Sequence, residues 1–494
     1  MHIVFLNPQG NFDHNDSYWT MHPDFGGQLV YVKEIACEMA KLGHKIDIVT
    51  RRFDDKQFPE FRDEFDSYHG VENLRIVRIP CGPNQFVRKE QLWEYLNEWT
   101  DNIIEFYKDE GSMFDFATGH YGDGGLACAL IKEKTGIPYS FTGHSLGAQK
   151  FDKLNQNFKN FQSLEQTYFF TKRILAERTA IANSDVVFVS TSQERDEQYS
   201  HLLYANDLFF HNPLSFIVAP PGVNTHVFAP FWSDNVDAVV QKKIETILHR
   251  DIAPSRRKLP IVVLASRLDE KKNHVGVVEA YAHDKALQQR CNLLISLRGV
   301  ENAYNDYTML KPAEIEIVNQ LMRTIYEHDL IGKVSFASIN SQGELANLYR
   351  YTAKHGGAFV LAALYEPFGL APIEAMSTGL PAAVTKYGGP SEVLQESGES
   401  FGVLLDVQDT KDIARGLNEL FDNYEFYQRQ GHKRVLSKYT WRATAKTYLK
   451  AIETVLSKPN NGMVPIPSYF KNLNMNELYK SFIPNQYNNQ EEDS

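Results

Sequence analysis

The hydrophobic and polar positions fall into two series of short apolar runs, separated by longer periodic stretches. HIVFLN (2–7) has nothing polar between Ile3 and Leu6 and is followed by Pro8, Gln9 and Gly10. That predicts a strand buried on both faces, then a loop. In GGQLVYVKEIACEMAKLG (26–43), Leu29, Val32, Ile35, Met39 and Leu42 recur every three or four residues. This is the spacing of one helix face, and Gly43 is placed to end it. KIDIVTRR (45–52) predicts the next strand. The chain therefore opens β-loop-α-β, the unit of a parallel sheet with crossover helices.

The same alternation continues through LRIVRIP (74–80), IPYSFTG (137–143), VVFVSTS (186–192) and FIVAPPG (216–222), with helical stretches at 90–109 and 162–183. A second series runs LPIVVLASR (259–267), NLLISLRG (292–299), KVSFASI (333–339), GAFVLAAL (357–364), LPAAVTK (380–386) and FGVLLD (401–406). PPGVNTHVF (220–228) lies between them as the linker. The expected organisation is two doubly wound parallel α/β domains, 1–222 and 223–455, with about 456–494 packing back on the first. Folds of this class bind ligands outside the carboxyl ends of their strands, so the loops there are the places to look for chemistry.

Composition narrows the classes of partner. The chain has 494 residues, enough for more than one core. Lys and Arg number 51 against 62 Asp and Glu, a net charge of −11, which argues against a nucleic-acid coat or an anionic membrane surface. A phosphate ligand would need its own local cations. Cys37, Cys81, Cys128 and Cys291 are scattered and form no close pair, as expected of reduced core cysteines in a cytoplasmic protein. MHIVFLNPQG is too short an apolar run for a signal peptide, and no run approaches the roughly 18 apolar residues of a membrane span.

Five loops carry candidate chemistry. PDFGGQL (23–29) and GHYGDGG (119–125) put glycines at helix starts, where backbone N–H groups can approach an anion or the glycines can simply allow packing. The G-x-G-x-x-G fingerprint of dinucleotide sites is absent from the first. FTGHSLGAQK (141–150) satisfies G-x-S-x-G through Gly143, Ser145 and Gly147, but no Asp and His follow in a recognisable hydrolase order. SRLDEKKNH (266–274) offers Arg267 and Lys272 to a diphosphate, or forms a solvated basic turn. LYEPFGLAPIEAMSTGLP (364–381) carries Glu366 and Glu374. Pro372 is suited to the first position of a helix, which would put Glu374 in its first turn, complementing the dipole. The N–H groups of Phe368, Gly369 and Leu370 could form an anion-binding nest.

Taken together, GGQLVYV, SRLDEKKN and EPFGLAPIE resemble the retaining GT-B nucleotide-sugar glycosyltransferases, whose fold is two Rossmann-like domains facing across a cleft. NPQGNF, DFGGQLVYVKE, GHYGDGG, TGHSLGAQK and STSQE resemble bacterial sucrose-phosphate synthases more closely. The resemblance implies a donor, UDP-glucose or ADP-glucose, on the second domain. Arg267 and Lys272 would neutralise its diphosphate, Glu374 would accept from the ribose, and Glu366, with Phe368, Gly369 and Leu370, would hold the glucose. Gly27 would let the helix approach the diphosphate, His144 would contact the glucose, and Leu345 would line the base site. The acceptor, fructose 6-phosphate, would meet Gly26, Gln28, Tyr121 and Ser145, with Lys89, Lys150 and Arg173 on its phosphate. His144, Arg267, Lys272 and Glu366 form the implied catalytic set.

The resemblance further implies no required metal or other cofactor, with Mg2+ at most stimulating. The chain stops shortly after YTWRATAKTYLKAIETVL (439–456), so the phosphatase domain of larger members is not expected and a separate sucrose-phosphate phosphatase becomes the expected partner. The readings left open are a sucrose synthase-like enzyme using free fructose, a mannosylfructose-phosphate synthase using GDP-mannose, a GT-B epimerase and a noncatalytic nucleotide-sugar sensor.

Overall fold

The computed structural model describes residues 1–19, 27–154, 165, 168–205, 216–459 and 462–471. Gly26 lies outside the described residues. The chain divides into two compact units, Met1–Pro220 with Thr444–Ser494, and Pro221–Ala443. The return to the first unit therefore begins at Thr444, not near 456 as the sequence reading had it. The cause is in the helix Trp441–Leu456: its Tyr448 stacks on Phe188 with ring centroids 3.5 Å apart and shares hydrogen bonds with Tyr31 (3.0 Å) and Thr142 (2.8 Å).

The strands of the first unit are β1 (His2–Leu6), β2 (Lys45–Arg52), β3 (Phe65–Asp66), β4 (Leu74–Pro80), β5 (Phe116–His120), β6 (Tyr139–Thr142), β7 (Val186–Val189) and β8 (Phe216–Val218). They form one sheet in the order β3-β4-β2-β1-β5-β6-β7-β8. All pairings are parallel except that of β3, a two-residue edge strand antiparallel to β4. So short a strand has no alternation to read from its residues.

In the second unit β9 (Ile261–Leu264), β10 (Asn292–Ser296), β11 (Val334–Ala337), β12 (Ala358–Leu361), β13 (Ala382–Thr385) and β16 (Val403–Leu405) form a wholly parallel sheet ordered β11-β10-β9-β12-β13-β16. A small hairpin, β14 (Gln395–Glu396) with β15 (Glu399–Ser400), lies outside it.

β1, β5, β6, β7, β9, β11, β12 and β13 are buried along their whole length, and most of them read as apolar runs; β5, FATGH, carries Thr118, Gly119 and His120 and was not read as a strand. Both sheets reverse direction of travel beside their first strand, between β1 and β5 and between β9 and β12. Loops leaving the carboxyl ends of such a pair diverge to opposite faces and leave a crevice between them. The expected helix over 90–109 is a 3-10 segment Lys89–Tyr95 followed by an α-helix Leu96–Asp109. All four cysteines are free and buried. Among the described residues no helix is long and apolar enough to cross a membrane.

Candidate functional site

In the first unit, β1, β5 and β6 lie side by side, and their outgoing loops carry most of the predicted residues. The glycines of GHYGDGG serve packing. A Cβ on Gly124 would sit 2.6 Å from the Leu6 carbonyl oxygen, and one on Gly125 would sit 2.6 Å from the Ala180 Cβ. They draw the helix Tyr121–Thr135 onto β1 and onto the helix Phe170–Asn183, and so fix where Tyr121 stands. Around Gly27, by contrast, an added Cβ would meet nothing within 4 Å among the described residues. Gln28, one residue on, is buried, and its amide nitrogen has no hydrogen-bond partner among the described residues.

The loop after β6 is held from behind by Glu177, a fully buried carboxylate. It accepts from the Gly147 N–H (2.9 Å), from Arg173 Nε (2.8 Å) and from the Tyr204 hydroxyl. Arg173 in turn donates to the Ser145 carbonyl and lies over the Tyr121 ring, 5.7 Å from its centre. Ser145 Oγ meets only Arg173, at 3.4 Å, and no histidine, so the hydrolase reading of G-x-S-x-G has no charge relay behind it among the described residues.

Lys150 is exposed and sits 4.5 Å from the centre of the Tyr168 ring. Its pKa is lowered, first by desolvation, then by the positive charges of Arg173 and Lys89, while Glu90 acts weakly the other way. The structure thus brings together three cations distant in sequence. Arg173 is already paired with Glu177, and the positive charge gathered around Lys150 suits a phosphomonoester.

His144 and Tyr121 face each other from neighbouring strand ends, rings 5.4 Å apart, and both have left-handed backbones, φ +56° and +62°. Non-glycine residues held there concentrate at functional sites. His144 Nε2 pairs with His120 Nδ1 at 2.8 Å, and His120 Nε2 with Thr118 Oγ1 at 2.9 Å. Burial holds both imidazoles far toward the neutral form, His144 down to about 3. His120 was missed in the sequence, although it sits in the quoted GHYGDGG. Nothing local distinguishes it from a core histidine.

In the second unit, Arg267 and Lys272 leave β9 and Glu366 follows β12, the two strands flanking the reversal. Lys272 Nζ donates to Glu366 Oε2 at 2.5 Å, and the Leu364 N–H donates to the Lys271 carbonyl at 2.8 Å, locking the two loops together. Expected to serve separate parts of a ligand, Lys272 and Glu366 are instead one ion pair, so each fixes the other's rotamer. Arg267 is exposed and has no side-chain partner among the described residues.

The helix after Glu366 runs Leu370–Ser377 from Gly369 at φ +90°. Pro372 is its third residue and Glu374 its fifth. The expectation that Pro372 opens the helix and that Glu374 complements its first turn is therefore wrong. A glycine able to turn left-handed sets the start, and proline is tolerated because the first N–H groups have no intrahelical acceptor anyway. Among the described residues no side chain caps this helix, which leaves the N–H groups of its first turn without a side-chain acceptor, as an anion nest needs.

Glu374 is partly buried, and desolvation lifts its pKa to about 7. Phe368 packs on the apolar core beside Tyr439, as does Leu345 on the helix Gln342–Lys354. The sequence reading also passed over Gly388 and Gly389. A Cβ on Gly388 would lie 2.1 Å from the Glu366 carbonyl oxygen, and the Gly389 N–H donates to that oxygen at 3.0 Å. The glycine pair before Pro390 was the visible signal. Among the described residues no group of three or more His, Cys, Asp or Glu is placed to hold a metal.

Comparison with known proteins agrees with this layout. The family model "Sucrose synthase first GT-B domain" matches residues 1–249, and "Glycosyl transferases group 1" matches 246–434. A protein of Thermosipho melanesiensis described as "Probable sucrose-phosphate synthase" is 44% identical over 471 residues, covering 95% of this chain and 99% of its own. The sucrose-phosphate synthase of Spinacia oleracea is 27% identical, covering 93% of this chain but 48% of its own, so the chain spans about half the length of that plant relative. Among solved structures, the sucrose-phosphate synthase of Thermosynechococcus elongatus superposes with a TM-score of 0.62 at 20% identity, covering 92% of this chain and 99% of its own, a likeness of fold.

Proposed function

The chain belongs to the sucrose-phosphate synthase family and is a hexosyltransferase of the GT-B fold; from that premise we propose that it moves glucose from UDP-glucose or ADP-glucose to fructose 6-phosphate. The configuration at the anomeric carbon is retained, and sucrose 6-phosphate and the nucleoside diphosphate are released.

The observation that carries the acceptor assignment is the cluster of Lys89, Lys150 and Arg173, in which desolvation first, then the charges of Arg173 and Lys89, lower the pKa of Lys150. A neutral sugar needs no such charge, whereas a phosphate raises the Lys150 pKa again and is bound by doing so. Gln28, with its unpartnered amide, and Tyr121 and Ser145 beside the cations supply contacts for the sugar hydroxyls.

On the donor side, Arg267 and the first N–H groups of the helix at Leu370 take the diphosphate, and the paired Lys272 and Glu366 act as one unit. The ammonium faces the leaving oxygen and the carboxylate accepts from glucose hydroxyls. Glu374 accepts from the ribose. Positive charge on the departing diphosphate lowers the barrier to breaking the glycosidic bond. The acceptor hydroxyl forms the new bond on the same face and gives its proton to the leaving phosphate oxygen. Arg267, Lys272 and backbone dipoles supply the charge in this scheme, which needs no resident cofactor and has Mg2+ at most stimulating. Release of free sucrose then falls to a separate phosphatase.

A second reading, transfer to free fructose, is favoured by the family model matched over residues 1–249. Steady-state kinetics with both acceptors decide between them. A kcat/KM for fructose equal to or above that for fructose 6-phosphate would sink the phosphate assignment. GDP-mannose assayed alongside tests the remaining donor.

A further inference from the structure

The buried line Thr118–His120–His144 can be read proton by proton. Thr118 is fully buried, and among the described residues its hydroxyl meets a single partner, His120 Nε2 at 2.9 Å. A buried hydroxyl proton must be donated to something. Here the acceptor is His120 Nε2, so that nitrogen carries no hydrogen. His120 is 1% exposed and neutral, and its one proton is therefore on Nδ1. Nδ1 lies 2.8 Å from His144 Nε2, which must accept it. His144 is neutral too, so its own proton stands on Nδ1.

That last nitrogen has no hydrogen-bond partner among the described residues and is the one left for a ligand. The ring cannot easily turn the other nitrogen outward. Tyr31 meets it edge-on at 4.8 Å, His120 lies against its Nε2 edge with ring centres 5.1 Å apart, and Tyr121 lies at 5.4 Å.

We propose that Thr118 and His120 are positioning residues that fix His144 as the Nδ1–H tautomer, so that His144 acts toward its ligand as a hydrogen-bond donor and not as a base. His120 and Thr118 touch no ligand in this account and act only through His144. The ligand, a hydroxyl or ring oxygen of the transferred sugar, rests on the proposed function above. The tautomer itself does not, and it is measured on the free protein.

The experiment is 15N NMR of the full chain labelled at histidine, without ligand, with the His144 resonances assigned by their loss in His144→Asn. The expected result is a protonated Nδ1 and a bare Nε2. A protonated Nε2 overturns the proposal whatever the substrates prove to be. Failure of both acceptors to react, with the tautomer as stated, would sink the proposed function alone.

Kinetics give the second readout. Thr118→Val removes the hydroxyl donor at nearly constant shape, and kcat/KM for the sugar donor should fall about tenfold, the worth of one net hydrogen bond. The KM for the acceptor should be unchanged, and Thr118→Ser, which keeps the hydroxyl, should restore the rate. Equal rates in Thr118→Val and Thr118→Ser would overturn the assignment.

Discussion

Replacing Glu374 by glutamine should abolish a pH dependence of donor binding that the native protein shows between pH 6 and 8. Burial lifts this carboxyl to about 7, and no cation pairs with it among the described residues. The ionised carboxylate accepts the stronger, charge-assisted hydrogen bonds from ribose, while the protonated acid keeps only a weaker carbonyl acceptor. With a pKa near 7, about one-tenth of the molecules are ionised at pH 6 and about nine-tenths at pH 8, so affinity should rise by up to about tenfold across that range, or up to about 1.4 kcal/mol. His274, buried beside the same loops, is pushed down to about 4 and stays neutral throughout.

Titration calorimetry with UDP-glucose is the assay, because its diphosphate is a diester with no proton to lose in this range. At pH 7, binding should release about half a proton, read from buffers of different ionisation heat. The folded state binds this proton more tightly than the unfolded chain, so stability falls as pH rises from about 4.5 to about 7 and stays low above. Above pH 7, Glu374→Gln should therefore be the more stable form, by up to roughly 2–3 kcal/mol. Native binding that is flat from pH 6 to 8, or a glutamine variant that keeps the slope, would refute the ribose role.

Lys150→Ala should raise the KM for fructose 6-phosphate by roughly 10- to 100-fold, the worth of one charge-assisted hydrogen bond, with the donor KM little changed. Equal effects on both substrates in steady-state kinetics would count against the acceptor assignment. Glu366→Ala should lower kcat by at least about tenfold, since it removes a sugar contact and releases Lys272 from its rotamer. Full activity, measured as nucleoside diphosphate release, would deny it that role. Gly388→Ala should cost more than about 2 kcal/mol in chemical denaturation, because the new Cβ would overlap the Glu366 carbonyl at a backbone only glycine adopts comfortably. A wild-type midpoint would show that the 366 and 388 loops are not locked together.

Most strands were legible because a parallel strand covered on both faces is largely apolar, as in IVVL at 261–264 or AFVL at 358–361, whereas β5, FATGH, has too few apolar residues to show. Their order was not legible, since the reversal beside β1 and β9 is set by crossovers that no local pattern records. Glycine and proline rules compete at the helix after Glu366. Pro372 pointed to a late start, and Gly369 decided an earlier one. The cations Lys89, Lys150 and Arg173 could each be named from the chain, but only folding puts their charges within reach of one another. The Lys272–Glu366 pair and the Thr118–His120–His144 line escaped for the same reason: each joins residues from different strands, and each member alone looks ordinary.

The central claim is the identity of the reaction, and product analysis tests it most directly. The purified chain is incubated with UDP-glucose or ADP-glucose and fructose 6-phosphate, and the product is identified by mass and by its anomeric NMR signal. The account predicts a disaccharide monophosphate with the glucosyl configuration retained, which yields sucrose on phosphatase treatment, and far less product from free fructose or from GDP-mannose. An inverted linkage, or a product formed only from unphosphorylated fructose, would contradict it.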